Sequence, residues 1–174
     1  MPSKVTMIQM TYFNDLSNYA YLPEFARPRS LNVGWLGLGH DFDKMTPSDA
    51  DLNLLWEFCK VSIAQTRGIH NCDFCKGNQP VVGERNGLSL LLGTSEIRVF
   101  SPDGTIYAAP TLIYHYVLQH NYRPPDEFMN ALRVGDSPPM EDYFNRLRNL
   151  GLEWTDTSGT DAEKPTFRFG QLRQ

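Results

Sequence analysis

The sequence of 174 residues has little of several features that define common classes of protein. It contains three cysteines, an odd and small number that excludes the disulfide framework of small secreted domains and indicates a reducing compartment. No run approaches the roughly 20 consecutive apolar residues that a membrane helix requires. The first residues, Met1-Pro2-Ser3-Lys4, do not begin a secretory signal. We therefore expect a cytoplasmic protein that is not associated with a membrane.

Basic clusters and the familiar catalytic motifs are also missing. The formal net charge is −4, and the 16 Lys and Arg residues are scattered along the chain. Binding along a phosphate backbone requires clustered cations, so nucleic acid is a disfavoured partner. The sequence has no Ser nucleophile elbow, Walker loop or dinucleotide fingerprint.

What the sequence does contain is typical of a globular protein, because 41% of its residues are hydrophobic and 12% are aromatic. We expect one α+β domain over residues 1–152, which is long enough to bury a sizeable core. The range 153–174 is rich in Ser, Thr, Gly and Asp, and we expect a mobile C-terminal tail there. Phe167 and Phe169 alternate with Arg168, so this tail could dock as an edge strand.

Apolar spacing and turn residues predict the elements of the domain. Thr46 as N-cap and Pro47 in the first turn predict a helix that runs to about Gln65. Further helices are predicted after prolines at 110, 124–125 and 138–139. Three short apolar or alternating runs separated by turns predict a three-stranded antiparallel meander: Leu88–Leu92, Glu96–Phe100 and Thr105–Ala108.

One constellation has clear chemical specificity. Cys72 and Cys75 form a C-x2-C knuckle, and His115 and His120 follow as H-x4-H, within the spacing that tetrahedral zinc accepts. Two histidines five apart share an ion only if the helix ends there, and Asn121 is suited to the left-handed backbone of a helix end. Knuckle, hairpin and helix together predict a ββα-like unit with one extra strand around a structural Zn²⁺.

His70 leaves an alternative open. The pattern His70-x-Cys72-x2-Cys75 could supply three ligands by itself, so five candidates compete for four positions. We place the two cysteines first, His115 and His120 next, and His70 in reserve. The two cysteines could also be reduced structural cysteines or a redox dithiol. The dithiol is disfavoured, because Gly77-Asn78-Gln79-Pro80 after the knuckle is turn chemistry, whereas redox pairs usually begin a helix.

Several segments taken together resemble an uncharacterised family of small bacterial zinc-knuckle proteins with no assigned function. The segments that carry this resemblance are Leu31–Leu36, Arg67–Cys75, Glu96–Val99 and Tyr107–Phe128. The resemblance covers roughly residues 10–135. It implies a bacterial, cytoplasmic protein with a coherent metal site, and it implies no activity.

Three functions remain as hypotheses. The first is a zinc-stabilised module that binds another protein, such as an immunity or adaptor protein, in which four protein ligands close the metal site. The second is a zinc-dependent hydrolytic enzyme with an open site at His70, Cys72 and Cys75 and with Glu84 or Glu96 as the base. The third is a zinc protein that binds nucleic acid, which conflicts with the charge.

Overall fold

The computed structural model describes residues 11–157 and 167–168, and it contains both helices and strands, so the fold is α+β as the sequence predicts. Residues 158–166 and 169–174 of the predicted tail, with Phe169, lie outside the described residues. The described elements, besides a short 3-10 helix at Pro23–Phe25, are β1 (Ser30–Asn32), α1 (Asp49–Cys59), β2 (Val61–Ile63), β3 (Val82–Arg85), β4 (Leu88–Leu91), β5 (Glu96–Phe100), β6 (Ile106–Pro110), α2 (Ile113–His120), α3 (Asp126–Val134), α4 (Glu141–Asn149), β7 (Trp154–Asp156) and β8 (Phe167–Arg168). No helix in this part of the chain is both long and apolar enough to cross a membrane.

Six strands form one mixed sheet in the order β1-β6-β5-β2-β7-β8. The edge strand β1 runs parallel to β6, with Ser30 opposite Ile106, and every other neighbouring pair is antiparallel. The remaining strands, β3 and β4, form a separate two-stranded ribbon. The sheet therefore joins segments from both ends of the described chain.

The predicted three-stranded meander is formed only in its second half. Strands β5 and β6 make the expected hairpin, but β4 pairs with β3, a strand that the sequence analysis did not identify. Gly93 separates β4 from β5 with φ +88°, and its carbonyl oxygen accepts a hydrogen bond of 2.9 Å from the His70 N–H. Strand β4 therefore does not pair with β5. The side of β5 that β4 was expected to occupy pairs with β2 instead, with Ile63 opposite Glu96.

The first helix begins later and ends earlier than predicted. Ser48, and not Thr46, is the N-cap, and its Oγ accepts a hydrogen bond of 3.1 Å from the Asp51 N–H. The helix ends at Cys59, and the residues predicted as its last turn form β2. Val61 and Ile63 are β-branched and fully buried in a strand with a partner on each side, so sheet pairing outweighs their helical spacing.

Different parts of the chain cover the two faces of β5, and all five of its residues are buried. Ile97 and Val99 belong to the main apolar core, which also includes residues of all four helices. On the opposite face the Arg98 guanidinium lies over the ring of Tyr19, 4.8 Å from its centroid. The segment that contains Tyr19 and Trp35 therefore covers this face of the sheet.

The sheet continues past residue 152, the boundary expected between domain and tail. Trp154 in β7 lies opposite Ile63 of β2, and its side chain is buried. Strand β8 pairs in turn with β7. The backbone at 154–156 is thus hydrogen-bonded into the sheet.

Candidate metal centre

Two cysteines from the loop before β3 and two histidines from α2 lie close together. One ligand atom from each of Cys72, Cys75, His115 and His120 lies within 4.8 Å of the others. The Cys72 Sγ is 3.2 Å from the His120 Nε2. The Cys75 Sγ is 3.3 Å from the His115 Nε2 and 3.4 Å from the His120 Nε2. The sequence named these four residues, and the fold brings them together.

The spacing of these atoms suits a tetrahedral metal ion. Zinc binds thiolate sulfur at about 2.3 Å and imidazole nitrogen at about 2.05 Å, which separates sulfur from nitrogen by roughly 3.6 Å in a tetrahedron. The three sulfur–nitrogen distances of 3.2 to 3.4 Å lie slightly below this value. Small outward movements of the side chains would admit an ion, so the four residues are close enough to hold one.

Close backbone packing positions the knuckle. A Cβ at Gly93 would lie 2.2 Å from the carbonyl oxygen of His70, so only glycine allows the two chain segments to approach this closely. Beyond Cys72, the ring of Phe74 packs against Phe42 at 5.5 Å and against Tyr116 at 6.0 Å between centroids. The loop is therefore anchored on both sides of its first cysteine. The sequence analysis predicted only a turn between Leu92 and Glu96 and missed this role of Gly93.

The way in which α2 ends places both of its histidines next to the cysteines. Asn121 adopts the left-handed conformation predicted for it, with φ 55° and ψ 27°. The Tyr122 N–H then donates a hydrogen bond of 3.1 Å to the carbonyl oxygen of Tyr116, which closes a wider turn than a regular helix has. This looser last turn lets His115 and His120 approach the same thiols although they are five residues apart.

The protonation states of the imidazoles fit metal binding. Burial, with a smaller effect of the neighbouring His120, lowers the pKa of His115 to about 4. Burial also lowers the pKa of His120, and the positive charge of Lys44 adds to this effect. Both rings are therefore neutral near pH 7, which is the form that binds a metal.

The thiol of Cys72 needs a nearby cation before it ionises. Burial raises its pKa to about 11, although the backbone N–H groups of Phe74 and Cys75 act in the opposite direction. A coordinated divalent ion supplies the positive charge that deprotonates a thiol at neutral pH. Two N–H donors of the loop therefore favour the thiolate form of Cys72, whereas burial disfavours this form when no ion is bound.

The other candidate residues lie outside this group. The His70 Nε2 is 3.2 Å from the hydroxyl oxygen of Tyr21. The carboxylate of Glu96 accepts hydrogen bonds from the Tyr19 hydroxyl and from Arg98. Glu84 lies on the exposed face of the β3–β4 ribbon. Neither proposed base is part of the Cys-His group, and the reserve ligand is not either.

Comparison with known proteins places the chain among sequences without an assigned activity. A family model described as a domain of unknown function (DUF7919) matches residues 11–133, a range that contains all four ligand candidates. This agrees with the resemblance to an uncharacterised family that the sequence suggested over roughly residues 10–135. No curated protein and no solved structure matches the chain.

Proposed function

Because the chain belongs to the DUF7919 family, a domain of unknown function, we propose a function from its own geometry: a zinc-stabilised module that binds another protein. The observation that carries this proposal is the convergence of four protein ligands, Cys72, Cys75, His115 and His120. Four ligands complete the tetrahedral shell of zinc and leave no position for water or substrate, which is typical of structural sites.

The ion would act as a cross-link between distant parts of the chain. The knuckle belongs to a loop that precedes the β3–β4 ribbon, whereas the histidines belong to α2, after the β5–β6 hairpin. Few regular hydrogen bonds hold residues 66–80, because this range contains no helix or strand. The free energy of zinc binding is therefore available to fix this loop against α2.

The contact of His70 with Tyr21 supports the closed site over the hydrolytic alternative. An open site at His70, Cys72 and Cys75 would require the His70 ring to leave Tyr21 and would leave the imidazoles of α2 without a ligand role. The sulfur–nitrogen distances favour the imidazoles of α2 as the third and fourth ligands. We therefore assign the ion a structural role and no catalytic one.

The metal content of the purified protein tests this proposal. Untagged protein should contain about one zinc ion per chain, and Cys75→Ser should lose most of it, because one of four ligands is replaced by a weak donor. Elemental analysis measures the stoichiometry, and thermal unfolding should show a lower melting temperature for the variant. Cys59→Ser serves as the matched control for metal content, since Cys59 lies outside the group. Wild-type protein without stoichiometric metal would contradict the proposal.

A further inference from the structure

A groove adjoins the metal centre. Its first part has a volume of about 580 Å³ and lies between the loop at 36–43, the segment at 12–15 and residues 123–126. Its second part, of about 530 Å³, reaches Phe74 and His120. The two parts share the lining residues His40, Asp41 and Phe42, so they adjoin each other. Each volume lies within the roughly 300–1,000 Å³ of ordinary ligand sites.

Aromatic rings form the apolar surface of this groove. Phe42 lines both parts and packs edge-on against Phe74 at 5.5 Å and against Tyr122 at 5.8 Å. The Tyr12 ring stacks on His40 with 3.5 Å between centroids. Rigid aromatic surfaces supply contact area at a low cost in conformational entropy, as protein-binding surfaces commonly do.

The charges in the groove are mainly negative. Four aspartates line it, at positions 15, 41, 43 and 126, against the two cations Arg123 and Lys44. Arg123 is already paired with Asp126 at 2.9 Å. Among residues 11–157, no Lys or Arg forms an ion pair with Asp41 or Asp43. Burial and, to a smaller extent, the Asp43 charge raise the pKa of Asp15, whereas hydrogen bonds from the Gly34 N–H and the Tyr122 hydroxyl lower it, so the carboxylates in the groove repel one another.

We propose that this groove docks an extended basic segment of a partner protein, an inference that rests on the proposed protein-binding function and identifies its surface. Lys and Arg side chains combine an apolar stem with a cationic head, which matches an aromatic floor beside an excess of carboxylates over cations. Complementary charge also sets which partners associate and how fast. The same carboxylates repel nucleic acid, and a second copy of this chain carries the same net charge of −4.

The position of the groove gives the metal centre a role in binding. His120 is a ligand candidate and lines the second part of the groove together with Phe74 of the knuckle. Fixing the knuckle against α2 would hold the Phe74 ring against Phe42, and this contact shapes the floor shared by both parts. A structural ion would thus preform the surface without touching the partner.

Labelled peptides of about ten residues provide the probe. The basic peptide alternates Lys or Arg with Tyr and Leu, and two matched peptides carry Glu or Gln at the basic positions. Fluorescence anisotropy at low and high salt compares wild type with the groove variant Asp41→Asn/Asp43→Asn. The control variant is Asp142→Asn/Glu153→Gln, which removes the same charge from two exposed carboxylates outside the groove. Zinc content is measured for all three proteins.

The basic peptide should bind wild type, and the groove variant should lose roughly tenfold or more in affinity while the control stays within about twofold. The proposal would be overturned if both variants lost affinity equally or if the Glu or Gln peptide bound as well as the basic one. It would also be overturned if no peptide bound, or if the protein self-associated and excluded the peptide. Because the variants leave the four ligands intact, normal zinc content with failed binding refutes the groove alone. Loss of zinc from wild type refutes the structural site instead.

Discussion

His70 and His120 both contact the region of the knuckle, but through different partners. The His70 ring meets Tyr21, whereas the His120 Nε2 lies 3.2 Å from the Cys72 Sγ. We expect His120→Ala to lose most of the bound metal, because it removes one ligand. His70→Ala should retain the metal, because its backbone N–H still bonds to Gly93. Metal retention measured side by side decides between them, and loss in His70→Ala alone would favour the open, hydrolytic site.

The buried ion pair on β5 is the second residue-scale feature that can be tested. The Arg98 Nη1 donates to the Glu96 Oε2 at 2.6 Å, and the two side chains are 1% and 4% exposed. Glu96→Gln should lower the free energy of unfolding by about 3–5 kcal/mol, because it leaves a buried guanidinium without a counter-ion. Arg98→Met should cost a similar amount for the converse reason.

A double-mutant cycle separates the pair from its surroundings. The variant Glu96→Gln/Arg98→Met should be destabilised by clearly less than the sum of the two single changes, because it leaves no unpaired charge. Denaturant unfolding at pH 7 supplies the four free energies. If the two single effects simply add, the two side chains do not depend on each other and our description of the pair is wrong.

At the scale of elements, β7 is the strand whose contribution is easiest to isolate. Its Trp154 is buried against Phe144, with 5.5 Å between ring centroids, and the following Thr157 N–H bonds to the Lys60 carbonyl oxygen. We therefore compare a chain that ends after Leu152 with one that ends after Thr157. The free energy of unfolding of the shorter chain should be at least about 3 kcal/mol lower, because that chain lacks the buried tryptophan.

Denaturant unfolding of the two shortened chains measures this difference, and Trp154→Ala in the full-length chain provides the side-chain contribution alone. Equal stability of the two shortened chains would show that β7 adds nothing to the sheet. In that case the domain would end at residue 152, as the sequence suggested.

Local chemistry determined which elements could be predicted from the sequence. Helix α3 begins after Pro125, as expected, because proline acts on the backbone next to it. The left-handed end of α2 at Asn121 and the four ligand candidates follow from equally local patterns. These features need no knowledge of distant partners.

Elements that depend on distant partners were predicted poorly. Strand β2 was assigned to the end of a helix because its apolar spacing fits both periods, and only its neighbours β5 and β7 decide the outcome. The contacts of Tyr19 with Glu96 and of Tyr21 with His70 join segments far apart in the sequence. No sequence pattern around either tyrosine indicates its partner, so these contacts and the groove were not predicted.

At the scale of the whole molecule, the free energy of unfolding depends on pH through titrating groups whose effects have opposite signs. An unfolded histidine titrates near 6.5, whereas the native His115 has a pKa of about 4. Between these values the unfolded chain binds a proton that the native protein does not, so this residue makes stability fall as pH falls from 6.5 towards 4. Burial raises the pKa of Glu96, which acts oppositely, because the native state then holds the proton to higher pH.

We expect the metal-free protein to be less stable at pH 5 than at pH 7, because the pKa of His120 is lowered as well as that of His115. His115→Gln should show a smaller loss between the two pH values, since it removes one of the groups that titrate in this window. Denaturant unfolding in the presence of a chelator measures both proteins. An unchanged pH dependence in the variant would mean that His115 titrates normally.

The order of strands in the sheet also governs how the chain assembles during synthesis. Strand β1 leaves the ribosome long before its partner strand β6, and a parallel pair cannot form through a tight turn. We expect the β5–β6 hairpin to form first, because its strands are neighbours in the sequence, and the segment with Tyr19 to dock onto it afterwards. Glu96 and Arg98 would therefore stay hydrated through the early steps, and their dehydration would accompany the late closure of the N-terminal segment over the sheet.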